Sequence, residues 1–112
     1  MCLFCRIAGR ELSTELLVDD PDVLAFRDIN PKAPTHILVI PRKHISSLAR
    51  AEAGDVELLG KLMLTAQRVA HDAGLRESGY RVVVNTGAEA GQSVFHIHLH
   101  VLGGRSLRWP PG

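Results

Sequence analysis

Val94-Phe95-His96-Ile97-His98-Leu99-His100-Val101-Leu102 alternates apolar and polar side chains at every step. That period belongs to a strand with one buried face, so Phe95, Ile97, Leu99 and Val101 are expected to point one way and His96, His98 and His100 the other. At a strand rise of roughly 3.3 Å, successive imidazoles on one face stand about 6.7 Å apart. Half of the six histidines of the chain thus project from one rigid element. A solvated strand face is served more simply by Thr, Lys or Glu. The row therefore points to zinc binding or to histidine-based catalysis, and the pattern by itself leaves both open.

Working outward, the loop before this strand, Thr86-Gly87-Ala88-Glu89-Ala90-Gly91-Gln92-Ser93, joins it to a second strand candidate, Tyr80–Asn85, as a hairpin. Gly87 and Gly91 allow backbone N–H groups to converge on an anion, Ser93 adds a hydroxyl, and Asn85 adds an amide at the entrance. Donors of this kind beside imidazoles suit a phosphoryl group. Imidazole is a competent nucleophile at pH 7, because its unperturbed pKa lies near about 6.5. Attack on phosphorus gives a phosphohistidine-type intermediate that water cleaves. His98, flanked by imidazoles on both sides, is the natural nucleophile. His100 is placed to touch phosphate oxygens, and Ser93 to assist a leaving group.

Further out, His36-Ile37-Leu38-Val39-Ile40 reads as a central strand ended by Pro41, and Pro31 and Pro34 hold residues 29–35 extended. Leu16–Asp19 and Val23–Asp28, split by Asp20-Pro21-Asp22, form an antiparallel hairpin. Residues 55–73 are the one long helix. Val56, Leu59, Leu62, Met63, Ala66, Val69, Ala70 and Ala73 make its core stripe, and Gly74 follows its end. Cys2–Gly9 forms a short helical turn. Five antiparallel strands, one long helix and a short N-terminal helix make an α+β domain. The tail, residues 103–112, holds too much Gly and Pro to be helical. It carries the single tryptophan, Trp109, which suggests a docked tail.

The 112 residues suit one domain, 1–112, with a real core. Apolar residues are 46% and the formal charge is +1 with basic residues scattered, so no footprint for duplex nucleic acid is present. No apolar run approaches bilayer length and no secretory leader precedes Cys2, so a soluble, cytoplasmic protein is expected. Cys2-x-x-Cys5 then argues against a structural disulfide. The spacing suits zinc or a redox pair. No preceding strand and long following helix frame a thioredoxin-like site, so zinc is the better reading, provided two further ligands come from elsewhere. A pair of small buried thiols is the plain alternative. One division of labour gives Cys2, Cys5, His44 and His96 to zinc and leaves His98 and His100 free, although spacing alone does not establish that set.

The chain also resembles the histidine triad (HIT) superfamily, in particular its nucleotide-binding phosphoramidase (Hint) branch. His96-Ile97-His98-Leu99-His100-Val101-Leu102 carries the His-φ-His-φ-His-φ-φ signature. Around it stand Gly91-Gln92-Ser93-Val94, Gly103-Gly104-Arg105, Trp109-Pro110-Pro111-Gly112, Asp28-Ile29-Asn30-Pro31, Pro34-Thr35-His36 and Pro41-Arg42-Lys43-His44-Ile45. The resemblance spans essentially the whole chain.

It implies a homodimer whose two sheets join, a purine nucleotide cleft on each protomer, and nucleotidylation of His98 during turnover. Asn85, Gly91, Gln92, Ser93 and His100 are implied as phosphate contacts. His36 corresponds to a histidine behind the nucleophile, Leu3, Phe4, Ile7, Phe26 and Ile29 to the surround of the base, and Asp28 to a ribose-binding carboxylate. In similar proteins the Trp109 segment lies near the partner's active site, and a Cys-x-x-Cys like that of many bacterial members accompanies zinc. The implied reaction is hydrolysis of nucleoside phosphoramidates, with aminoacyl-adenylates as related substrates. Dinucleoside polyphosphate hydrolysis and a nucleotide-binding interaction module are the alternatives.

Overall fold

In a computed structural model that describes residues 2–112, a five-stranded antiparallel sheet is packed on both faces. The elements run α1 (Leu3–Ala8), β1 (Val18–Asp19), β2 (Val23–Arg27), β3 (Thr35–Pro41), α2 (Val56–Asp72), β4 (Tyr80–Val83) and β5 (Leu99–Gly103). The strand order is β1-β2-β3-β5-β4. The β1–β2 hairpin, the central place of β3 and the pairing of β4 with β5 agree with the expectations from sequence.

Alternation along each strand divides two apolar layers. Val23, Ala25, Ile37, Val39, Leu99 and Val101 face α2, where they meet Leu62, Ala66, Val69 and Ala70. Leu24, Phe26, Leu38 and Ile40 face the other way and are covered by Phe4 and Ile7 of α1. β3 is buried on both faces, so its sequence is an unbroken apolar run rather than an alternating one.

Two expectations are corrected. The histidine stretch is not a strand from residue 94, because pairing with β3 begins only at Leu99, opposite Val39. Before that point the chain bends. The Ile97 N–H goes to the Ile45 carbonyl at 2.6 Å, Phe95 is 52% exposed, and His96 and His98 are buried. The period-2 pattern persists because an extended chain alternates its side chains with or without a paired neighbour. On α2, the stripe read as core is split. Leu62, Ala66, Val69 and Ala70 are buried, whereas Val56 and Met63 are exposed, and Thr65 is buried in their place.

At the start of α2, Asp55 closes a reciprocal cap with Glu52 and receives Lys43 Nζ at 2.8 Å. Among the described residues, no helix is long and apolar enough to cross a membrane.

Candidate active site and metal centre

β3 and β5 bring His36 and His100 together. In their antiparallel register His36 lies opposite Leu102 and His100 opposite Leu38, so the two imidazoles are diagonal neighbours on one face. His36 Nε2 and His100 Nδ1 stand 2.9 Å apart. The Lys32 backbone N–H donates to His36 Nδ1 at 3.0 Å. That bond assigns the tautomers: His36 accepts at Nδ1, carries its proton on Nε2 and donates it to His100 Nδ1. His100 is left with an Nε2–H. Burial, reinforced by the neighbouring His98 and His36 imidazoles, pushes its pKa down to about 4. Burial also lowers His36, against an opposing pull from the Asp28 carboxylate, whose Oδ2 lies 3.4 Å from His36 Nε2. Both rings are therefore neutral at pH 7, and His100 is a donor without being a cation.

His98 is oriented by the main chain. Its Nδ1 bonds the His96 carbonyl at 2.7 Å, so the backbone rather than a flanking imidazole sets its tautomer. A carbonyl can only accept; Nδ1 therefore carries the proton and Nε2 keeps a lone pair. The Phe4 ring packs against His98 in a T-shaped contact, 5.0 Å between centroids, and the His100 ring lies tilted to it, also at 5.0 Å. His36, read from the resemblance as standing behind the nucleophile, bonds its neighbour His100 instead.

Leu3, Phe4, Ile7, Phe26, Ile29 and Leu38 form an apolar cleft that ends on Asp28, Ser93, His98 and His100. A second, polar lobe continues from Asp28, Ser93 and His100 to Asn30, Lys32, His36 and Asn85. The structure thus gathers Leu3, Phe4, Ile7, Phe26, Asp28, Ile29, Asn85, Ser93, His98, His100 and His36 around one depression. Gly91 and Gln92 are spent differently. Gly87 and Gly91 hold φ of 86° and 93°, the left-handed region that suits glycine. The N–H of Gly91 bonds Ala88 and that of Gln92 bonds Gly87. The buried Gln92 amide accepts from Gly87 N at 2.9 Å and donates to the Ser46 and Val94 carbonyls at 2.8 and 3.1 Å. These groups build the loop, and the anion nest read from its glycines has its N–H groups of Gly87, Gly91 and Gln92 already bonded.

Two contributors not expected from sequence stand out. Leu38 lines the cleft, and counting by two from His36 finds it. The Lys32 N–H, which decides the tautomer of the whole relay, is a backbone group and leaves no trace in the residue type.

Below the cleft, Cys2, Cys5, His44 and His96 form a second cluster with all ligand atoms within 4.8 Å of one another. The sulfur–nitrogen separations are 3.6 and 3.4 Å from Cys2 and 3.2 and 3.5 Å from Cys5. The two Nδ1 atoms lie 3.1 Å apart. A tetrahedral zinc with bonds of about 2.3 Å to sulfur and about 2.05 Å to nitrogen sets sulfur–nitrogen edges of about 3.5 Å and nitrogen–nitrogen edges of about 3.3 Å. The donor set fits zinc in chemistry and in size. His96 Nε2 donates to the Pro41 carbonyl at 2.8 Å, which turns the Nδ1 lone pair toward the cluster and orients the ring as an outer-shell bond does in metal sites. Burial and the adjoining Cys2 thiol raise the Cys5 thiol, and a divalent cation between the sulfurs counters this by stabilising thiolates.

Asp28, His36 and His100 also lie close together, but His36 spends its Nδ1 lone pair on Lys32 and carries a proton on Nε2, which is wrong for a ligand. The relay is built to hold protons.

Known proteins share this sequence and this fold. The chain is 51% identical over 112 residues to a 14 kDa zinc-binding protein of Zea mays, covering 98% of this chain and 87% of that one. It superposes on the crystal structure of a HIT family hydrolase from Legionella pneumophila with a TM-score of 0.97, at 49% identity and full coverage of both chains. A histidine triad nucleotide-binding protein from Candida albicans is similar at a TM-score of 0.82 and 29% identity, over 90% of this chain and 73% of that one. The HIT domain family model matches residues 9–107, a span that includes His36, His98, His100 and both histidines of the metal cluster. With the three alternating histidines, the two-layered sheet and this match in agreement, the chain belongs to the HIT domain family.

Proposed function

We propose that the protein is a purine nucleoside phosphoramidase, hydrolysing nucleoside 5′-phosphoramidates through a nucleotide covalently held on His98. The observation that carries this reading is the pair of assigned tautomers: a lone pair on His98 Nε2 beside an N–H on His100, both at the inner end of an apolar cleft. The purine lies between Leu3, Phe4, Ile7, Phe26 and Ile29, and Asp28 accepts from the ribose hydroxyls. Asn85, Ser93 and His100 hold the phosphoryl oxygens, and the loop tied by Gly91 and Gln92 carries Ser93 into place.

His98 Nε2 attacks phosphorus and the P–N bond breaks. The departing nitrogen takes a proton relayed by the Ser93 hydroxyl from solvent and leaves as the amine. His98 is then an N-phosphorylated imidazolium whose Nδ1–H rests on the His96 carbonyl. Water adds to phosphorus, a proton leaves, and the nucleoside monophosphate departs with neutral His98 restored. His100 donates to the oxygens on which charge gathers, in a site from which much of the water is excluded. Zinc, bound by Cys2, Cys5, His44 and His96, is structural and takes no part in these steps.

Hydrolysis of adenosine 5′-phosphoramidate and of a diadenosine polyphosphate, measured side by side, tests the reading. Faster cleavage of the phosphoramidate is expected, with a quenched reaction yielding an AMP adduct on the peptide that contains His98. His98→Asn is expected to lower turnover about a thousandfold or more while AMP still binds. Faster cleavage of the polyphosphate, or an active His98→Asn enzyme, overturns it.

A further inference from the structure

The metal cluster and the cleft share a wall and a residue. The wall is α1, six residues long, far shorter than a helix that holds itself together in water. At its C-terminal end Arg42 donates to the Ala8 carbonyl at 2.8 Å. At its N-terminal end Cys2 is the cap, its sulfur accepting the Cys5 N–H at 3.1 Å, and both sulfurs meet the imidazoles of His44 and His96. Between these ties α1 presents Leu3, Phe4 and Ile7 to the cleft. The Phe4 ring also packs edge-on against His98 and, at 5.7 Å, against Phe26. The shared residue is His96. Its ring joins the metal cluster, and its carbonyl holds the His98 Nδ1–H. Fixing the one imidazole thus fixes the backbone atom that orients the other.

We propose that Cys2, Cys5 and His96 are positioning residues for the nucleotide cleft, so that zinc occupancy and nucleotide binding strengthen each other. This rests on the nucleotide reading of the cleft given above. With the cluster filled, α1 is pinned at both ends and the purine meets a preformed wall. With it empty, the nucleotide must order α1 at its own expense and binds more weakly. The coupling is reciprocal by thermodynamic necessity: whatever factor zinc adds to AMP affinity, AMP adds to zinc affinity.

The decisive measurement uses the intact chain. AMP binding is measured calorimetrically for the zinc-loaded protein and for protein stripped by a chelator, with circular dichroism checking that the sheet is retained. A weakening on the order of tenfold is expected on stripping, in the range common for coupled sites. Zinc retention against a competing chromogenic chelator, with and without saturating AMP, should shift by the same factor, and this arm requires no variant. Cys2→Ser separates the metal from the cap. Serine is a strong N-cap but leaves the metal one thiolate short, so the variant should lose zinc and show the weak AMP affinity of stripped protein. Equal AMP affinity in loaded and stripped protein, no protection of zinc by AMP, or normal AMP affinity in zinc-free Cys2→Ser each overturns the coupling and leaves the nucleotide reading standing. Failure of AMP to bind either form overturns the nucleotide reading, and the coupling with it.

Discussion

At the scale of single residues, burial keeps His36 and His100 neutral and backbone groups assign the ring protons. The Lys32 N–H, the His96 carbonyl and the Pro41 carbonyl assign His36, His98 and His96 respectively. Holding His100 neutral costs stability in acid, and the sign is definite. Its pKa is about 4 in the folded chain, against about 6.5 for an unfolded histidine. The unfolded chain therefore binds the extra proton first. The contribution is complete above about pH 6.5 and is lost as pH falls toward 4. His36, lowered by burial, acts in the same direction. Thermal melting of wild type and His100→Gln across that window checks this. The wild type should lose more of its Tm between pH 6.5 and 4 than the variant does, since acid release of zinc is common to both. Parallel curves would remove His100 from the acid sensitivity. The residue types of this relay are legible in the sequence and its direction is not, because two of the three assigning groups are backbone carbonyls and the third is a backbone N–H.

At the scale of elements, a hairpin loop and a strand boundary decide where the chemistry sits. Gln92 is the internal tie of the loop 86–93, bonding Gly87, Ser46 and Val94 from a buried position. Gln92→Ala leaves those backbone groups without their partner. A buried unpaired group costs about 1–3 kcal/mol, so a loss of roughly 2 kcal/mol, or about 8 °C in Tm for a chain of this size, is expected. Because Ser93 follows directly, turnover should also fall. Calorimetry and phosphoramidate kinetics on the same sample read both, and an unchanged Tm would show that the loop holds itself without the amide. Glutamine beside a glycine reads equally well as a solvent-facing turn residue, and only the fold back onto Ser46 buries it. The boundary of β5 was hidden for a related reason. Alternation reports which way side chains point, and it continues through Val94–His98, where no neighbouring strand is paired. The stripe of α2 was legible as apolar but not as divided, since periodicity cannot distinguish burial within the protomer from apolar surface left outside it. Val56 and Met63 are of the second kind.

At the scale of the whole molecule, that outward-facing apolar surface lies beside a sheet edge. Among the described residues, β4 pairs only with β5, and its other edge meets no strand. Around it Leu48, Met63 and Val84 are exposed at 43%, 56% and 38%. Leu59, Leu62, Val82, Ile97 and Leu99 floor the depression between them. An apolar patch on an open strand edge invites association. A two-fold partner would present the same patch, close it and join the two sheets without leaving a free end to propagate. The tail meets the same edge strand: Arg81 of β4 donates to the Arg108 carbonyl at 2.8 Å and stands 5.9 Å above the Trp109 ring, which remains 81% exposed. Trp109 is therefore held at the edge a partner would cover, available to reach that partner's cleft, while the patch on α2 and β4 supplies the contact area. A two-fold dimer at micromolar concentration is expected by light scattering. Met63→Glu, which buries an unpaired carboxylate in that patch at a cost of several kcal/mol, should shift the protein to monomer. Deletion of residues 105–112 should leave the dimer intact and change the ratio of kcat/KM for two phosphoramidates that differ only in their amine. A dimer that survives Met63→Glu would move the interface off this face, and a ratio untouched by the deletion would place Trp109 away from the leaving group.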